Sequence, residues 1–151
     1  MNAPLSPLPR DQRKIDADHL NLLAIFHFVG AGLAVLGLLF LAVHYTFMHA
    51  IFANPDFWKN QKQPMPVPPE QVFAMMKWFY LAAALWFVVS GVLNVISALC
   101  LRARKGRMFS MVVSGINCLH IPLGTVLGVF TIVVLIRDSV RELYDARAAE
   151  P

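Results

Sequence analysis

His27 is the deepest ionisable side chain of the first long apolar tract, in a chain that keeps Asp, Glu, Lys and Arg out of such tracts. An imidazole at such depth could relay a proton, ligate a metal or hold a neighbouring helix by a hydrogen bond. Its helical neighbours Gly30, Ala31 and Ala34 are small, which directs it toward a helix-packing surface rather than toward lipid. Two further sets of polar residues recur at helical spacing. Ser90, Gly91, Asn94 and Ser97 share one face, and Ser110, Ser114 and Asn117 share another. Counted inward from His19, Arg102 and Arg107, the residues His27, Asn94 and Ser114 all lie roughly 10–12 Å from the same basic edge. The expectation is a buried polar layer joining His27, Asn94, and Ser114 or Asn117. Hydrogen bonding between helices is the commoner use of such a layer, at about 0.6 kcal/mol per contact. Contact with a ligand or an ion is the alternative.

Other chemistry has less support. His44, His49, His120 and Cys118 are residue types that bind metal or haem. However, His44 and His49 are five residues apart and diverge by about 140° on a helix, and His44 belongs nearer the outer interface than His120. No metal site and no cofactor is expected. No HExxH, GxSxG, phosphate-binding loop or pair of carboxylates occurs, and no acid lies in an apolar tract to serve as a base, so no catalytic residue is assigned. The lack of intramembrane carboxylates and of evident inverted repeats also disfavours ion-coupled transport.

Three tracts must position these residues: His19 to Asn54, Trp78 to Leu101, and Met108 to Ile136. None contains Asp, Glu, Lys or Arg, although the chain has 9 acids and 13 Lys and Arg. A bilayer crossing needs about 20 apolar residues. The expected fold class is therefore all-α, an integral membrane four-helix bundle of two long helices plus a short C-terminal helical hairpin. Strands of a membrane barrel would alternate in short segments, which these tracts do not. The net charge of +4 reflects basic residues at membrane edges rather than nucleic-acid binding. The first tract is more than twice the length of a signal-peptide core and is expected to be retained. Cys100 and Cys118 fit as small buried hydrophobes.

Along the chain, residues 1–15 carry Pro4, Pro7, Pro9, Arg10, Arg13 and Lys14 and suggest a mobile basic tail. A single membrane domain is expected over 16–147, with helices near 17–53, 69–103, 104–120 and 123–146, and a tail at 148–151. Asp16 or Asp18 suits the cap of the first helix. Tyr45, Phe47, Phe52, Phe57 and Trp58 resemble an aromatic belt at its far end, and Trp78, Tyr80 and Lys77 mark where the second helix meets the interface. Prolines at 64, 66, 68 and 69 place a loop between the two. The cluster Arg102, Arg104, Lys105 and Arg107 is cytoplasmic by the positive-inside rule, which puts the basic N-terminus on the same side.

The last tract decides the topology. As one helix its 29 residues would span about 43 Å and place Arg137, Arg141 and Arg147 outside, against the charge bias. As a hairpin turning at Pro122 and Gly124, it returns the C-terminus to the cytoplasm. The hairpin is the favoured reading. Val140, Leu143 and Tyr144 then share one face of a charged helical end at the headgroups. Gly124 with Gly128, and Gly30 with Ala34, are spaced for close helix packing, within the chain or between copies.

The run from His120 to Leu135, with Ile121-Pro122-Leu123-Gly124-Thr125-Val126-Leu127-Gly128-Val129-Phe130-Thr131 at its centre, resembles the C-terminal ending of a family of small, uncharacterised bacterial inner-membrane proteins. The preceding Arg104 to Asn117 fits the same pattern. The resemblance implies a four-helix protein of the bacterial inner membrane and brings no activity with it. The expectation is a non-enzymatic scaffold or accessory subunit. It would have the lipid bilayer and a homo-oligomer or larger membrane complex as partners, and no nucleic acid. The alternative is a small oligomeric channel or carrier using the polar layer.

Overall fold

The computed structural model describes residues 10–54, 56, 58 and 67–149. Within them the chain is all-α, with five helices and no strand: α1 Arg10–Ala53, α2 Pro69–Ala103, α3 Arg107–Asn117, α4 Leu123–Ile136 and α5 Asp138–Ala148. The helices α1 and α2 are long and apolar enough to cross a membrane. At 1.5 Å per residue they measure about 66 and 52 Å, against a hydrocarbon core of about 30 Å. Pro4, Pro7 and Pro9, the loop residues Phe57, Lys59, Lys62, Pro64 and Pro66, and the tail beyond Ala149 lie outside the described residues.

Three boundaries differ from the expectation. First, α1 begins at Arg10, so residues 10–15 are helix rather than tail. Asp16 consequently lies in the helix interior, where it is buried and cannot be a cap. Second, α3 starts at Arg107 instead of 104, because the chain must reverse first. Arg104 takes a left-handed φ of 52°, and Gly106 one of 61°. The Arg104 N–H donates to Leu101 O at 3.3 Å and the Lys105 N–H to Cys100 O at 3.0 Å, the Schellman pattern that closes a helix. Third, the helix expected over 123–146 is broken. Arg137 has ψ 135°, and α4 and α5 are bent by 71°.

The chain divides into two compact units. One draws on α1 up to Ala31 and on the chain from Val92 onward; the other comprises Gly32–Gly91. In the first, Leu20, Leu23 and Ala24 of α1, Ala98 and Leu101 of α2, Val134 and Leu135 of α4, and Val140 and Tyr144 of α5 form one apolar core. The bend at Arg137 lets α5 contribute to it, since Val140 is fully buried.

The last apolar tract is an antiparallel hairpin, and its register follows from contacts. Gly124 lies against His120 and the Asn117 carbonyl, Gly128 lies against the Ser114 carbonyl and Cys118, and Arg107 Nε donates to Leu135 O at 2.8 Å. Pro122 precedes α4 directly, after a cis bond from Ile121. Gly124 sits in the first turn of α4, and its N–H closes the reversal onto His120 O at 2.8 Å. Its second role is spatial: a Cβ there would stand 2.5 Å from Asn117 O, so only glycine admits this approach.

The second unit contains α1 and α2 segments alone. Gly37 receives the Phe87 ring, whose Cε1 would lie 2.5 Å from a Cβ. Farther along, Tyr45 packs against Phe73 and edge-on against Tyr80, with ring centroids 5.5 and 5.2 Å apart. Phe52 bridges Phe73 and Trp58. Phe47, expected in the same belt, is exposed, as are Trp78 and Lys77. Beside this cluster runs an open apolar groove of about 350 Å³ lined by Leu38, Leu41, Tyr45, Lys77, Tyr80 and Leu81.

Candidate functional site

Each of four helices in the first unit contributes one side chain to a buried polar network. On α1, His27 is fully buried; on α2, Asn94 is 4% exposed; on α3, Asn117 is 4% exposed; on α4, Thr131 is fully buried. Asn94 and Asn117 form a reciprocal amide pair. Asn94 Nδ2 donates to Asn117 Oδ1 at 3.0 Å, and Asn117 Nδ2 donates to Asn94 Oδ1 at 2.8 Å. His27 Nδ1 lies 2.8 Å from the same Asn94 Oδ1. An amide oxygen only accepts, so Nδ1 carries the proton. The other ring nitrogen, Nε2, then accepts, and lies 3.3 Å from the Thr131 hydroxyl, whose single proton is divided between Nε2 and Leu127 O, 2.8 Å away.

Local sequence explains each position. Ser90, Asn94 and Ser97 recur along one buried face of α2, and Ser110, Ser114 and Asn117 along one buried face of α3. The α4 face runs Gly124, Gly128, Thr131, Leu135, so the small residues that bring α3 close also carry Thr131 inward. The sequence reading missed Thr131, although its spacing three residues after Gly128 marks it on the glycine face.

The structure brings His27, Asn94 and Asn117 together. It does not bring in Ser114, whose hydroxyl donates to Ser110 O at 2.7 Å within α3. A serine hydroxyl competes for the carbonyl one turn back, and here that local bond is the one formed. Gly30 adjoins the network at ordinary contact distance, 3.5 Å from a Cβ position to Asn94 Oδ1, so it is not a tight packing point. Ala34 is buried in the other unit.

Chemically, the network is a set of neutral hydrogen-bonding groups around one imidazole. It contains no carboxylate or thiolate. Among the described residues, no three His, Cys, Asp or Glu side chains lie close enough to hold a metal ion. His44 Nδ1 instead hydrogen-bonds the Tyr80 hydroxyl at 2.7 Å, and His49 packs edge-on against Phe73.

A second polar cluster lies at the basic end of the first unit. Asp16 is fully buried and accepts from Gln12 Nε2 at 3.2 and 3.3 Å, with Arg137 Nη1 at 3.8 Å. The same Arg137 nitrogen is 3.4 Å from His19 Nδ1. The hinge residue between α4 and α5 is thereby tied to α1. On α5, Tyr144 is 7% exposed and its hydroxyl has no hydrogen-bond partner. Burial first, and then the nearby Cys100, push the phenol up to about 12, against the opposing pull of Arg107 and Arg104.

Comparison with protein-family models, with curated proteins and with solved structures finds no match to this chain.

Proposed function

We propose that the chain is a multi-pass protein of the bacterial inner membrane, with both termini in the cytoplasm, acting without catalysis as a scaffold or accessory subunit of a membrane assembly. The observation that carries this reading is how the polar and apolar groups are divided. His27, Asn94, Asn117 and Thr131 hydrogen-bond among themselves, with 0–4% exposure. The outward surface is the reverse. Only 28% of the apolar 18-residue window in each candidate span is buried, and Leu36, Leu39, Phe40, Val43, Phe79 and Leu85 are each more than half exposed. Lateral contact with lipid or with another helical protein is what such a surface offers. The positive-inside bias and the likeness of the C-terminal third to small bacterial inner-membrane proteins support the location.

The test is gentle extraction from native membranes followed by size analysis and identification of what co-purifies. A stoichiometric membrane partner, or a defined homo-oligomer, is the expected result. Specific solute permeation into proteoliposomes that is abolished by Asn94→Leu would count against a scaffold and in favour of a channel.

A further inference from the structure

The densest charge in the chain lies in the turn between α2 and α3. Arg102, Arg104, Lys105 and Arg107 place four cations within six residues. Arg102 and Lys105 are exposed, and Arg104 and Arg107 are half-buried. None of the four forms an ion pair with a described acidic residue. Three features of the turn make it more than a flexible charged loop. The Schellman closure and the two left-handed residues fix its backbone. Arg107 is anchored through Nε to Leu135 O. Gly106 lies over Cys100, 3.4 Å from Sγ to a Cβ position.

The same turn launches α3 without a side-chain cap and with no acid in its first turn. The first N–H groups of a helix lack internal partners, and they carry partial positive charge. On α5, Tyr144 packs in the same core as Leu101, the residue before the turn, and its buried hydroxyl has no partner. Four cations on a fixed turn and the positive dipole end of α3 therefore lie together, with an unused buried hydroxyl in the core beneath. The flanking surface is apolar: Leu99 is 53% exposed, Met108 69% and Val112 60%, each within about two helical turns of the cations. A soluble phosphate would leave that surface unused. A ligand that is anionic at one end and apolar along the rest would cover both.

We propose that this turn is a headgroup site for an anionic phospholipid, its phosphate held by Arg104, Lys105 and the α3 N-terminus and its acyl chains lying along Leu99, Met108 and Val112. The site rests on the membrane reading given above. Cations near an anionic leaflet each add enough attraction for roughly a fivefold preference.

The experiment uses the full chain in vesicles of equal phosphatidylcholine and phosphatidylglycerol, with retained lipids counted by native mass spectrometry. The expected result is selective retention of phosphatidylglycerol. Arg104→Gln with Lys105→Gln should lower that selectivity on the order of tenfold or more, and Arg104→Lys should keep it. Lys105→Gln alone, at an exposed position, should give a partial loss without affecting folding. Arg13→Gln with Lys14→Gln removes the same charge from α1, outside the site, and should lower selectivity by clearly less than the turn variant. Equal retention of both lipids, an equal loss in the α1 variant, or displacement by millimolar inorganic phosphate would each overturn the site. A protein that does not float with vesicles of either composition overturns the membrane reading itself, and flotation is scored before any lipid is counted.

Discussion

Asn94 makes three hydrogen bonds with one amide, and two of them end on the same oxygen. Removing it orphans the His27 Nδ1–H and the Asn117 amide together. Asn94→Leu should therefore cost about 1–2 kcal/mol in mixed micelles, and Asn117→Leu a similar amount. The double substitution should cost less than the sum, because each single change leaves an unpaired partner that the double change removes. Strict additivity in denaturant titrations would contradict the reciprocal pair. Tyr144 makes a prediction of another kind. Its folded-state pKa, about 12, lies above the ordinary 10.0, so folding favours the neutral phenol. That contribution is complete below pH 10 and is lost as pH rises toward 12, by at most about 3 kcal/mol. Tyr144→Phe should flatten the decline in unfolding midpoint over that window, with little change at neutral pH. The pairing of His27 with Asn94 was legible by counting from basic edges, and on α3 the same count pointed to Ser114, with Asn117 as the alternative that the structure takes. The bond of Ser114 was not, because depth does not reveal whether a hydroxyl turns outward or back onto its own helix.

At the scale of elements, the α3–α4 hairpin depends on two glycines that leave no room for a Cβ. Gly128→Ala would press a methyl into the Ser114 carbonyl and Cys118 Sγ, the latter at 2.6 Å. Both helices would have to separate, at a cost of about 1–3 kcal/mol. Gly115→Ala, on the same hairpin, meets nothing within 4 Å and should be neutral, or stabilising by up to about 1 kcal/mol. Thermal unfolding of the two variants should move in opposite directions or differ by several degrees; equal losses would refute the register. The GxxxG spacing was readable from sequence, and so was the reversal around Pro122. The second duty of Gly124 was not: besides closing the reversal with its N–H, it leaves room for the Asn117 carbonyl. The break at Arg137 had a signal in Asp138-Ser139, since an acid in the first turn favours a new helix. The apolar periodicity of Val140 and Tyr144 concealed it, because a continuous helix would satisfy that pattern equally well.

For the whole molecule, charge bias and length make the prediction. A fluorescent reporter fused after Ala149 should be active in the cytoplasm, and a periplasm-dependent phosphatase at the same point should be silent. The opposite pair of results would overturn the proposed orientation. The two long helices were plain in the sequence because no charge interrupts either tract. Their extent was underestimated at the N-terminus. There the charged stretch Arg10 to Ile15 reads as a tail, yet it is helical, and Asp16, expected as a cap, lies inside the helix facing Arg137. Such a pairing over more than a hundred residues of sequence leaves no local trace.

The shortness of the hairpin has a consequence for biogenesis. Its helices have 11 and 14 residues, below the roughly 20 that insert as independent spans. In the proposed topology α1 and α2 enter the bilayer first, and the hairpin joins them after synthesis of both is complete. Asn94 then meets His27 before Asn117 reaches the membrane. Maturation is ordered by hydrogen-bond partner: an early bond holds the first two helices, and a later one accepts the hairpin. In that topology, a chain stalled between the two steps would hold α1 and α2 together with the hairpin still undocked.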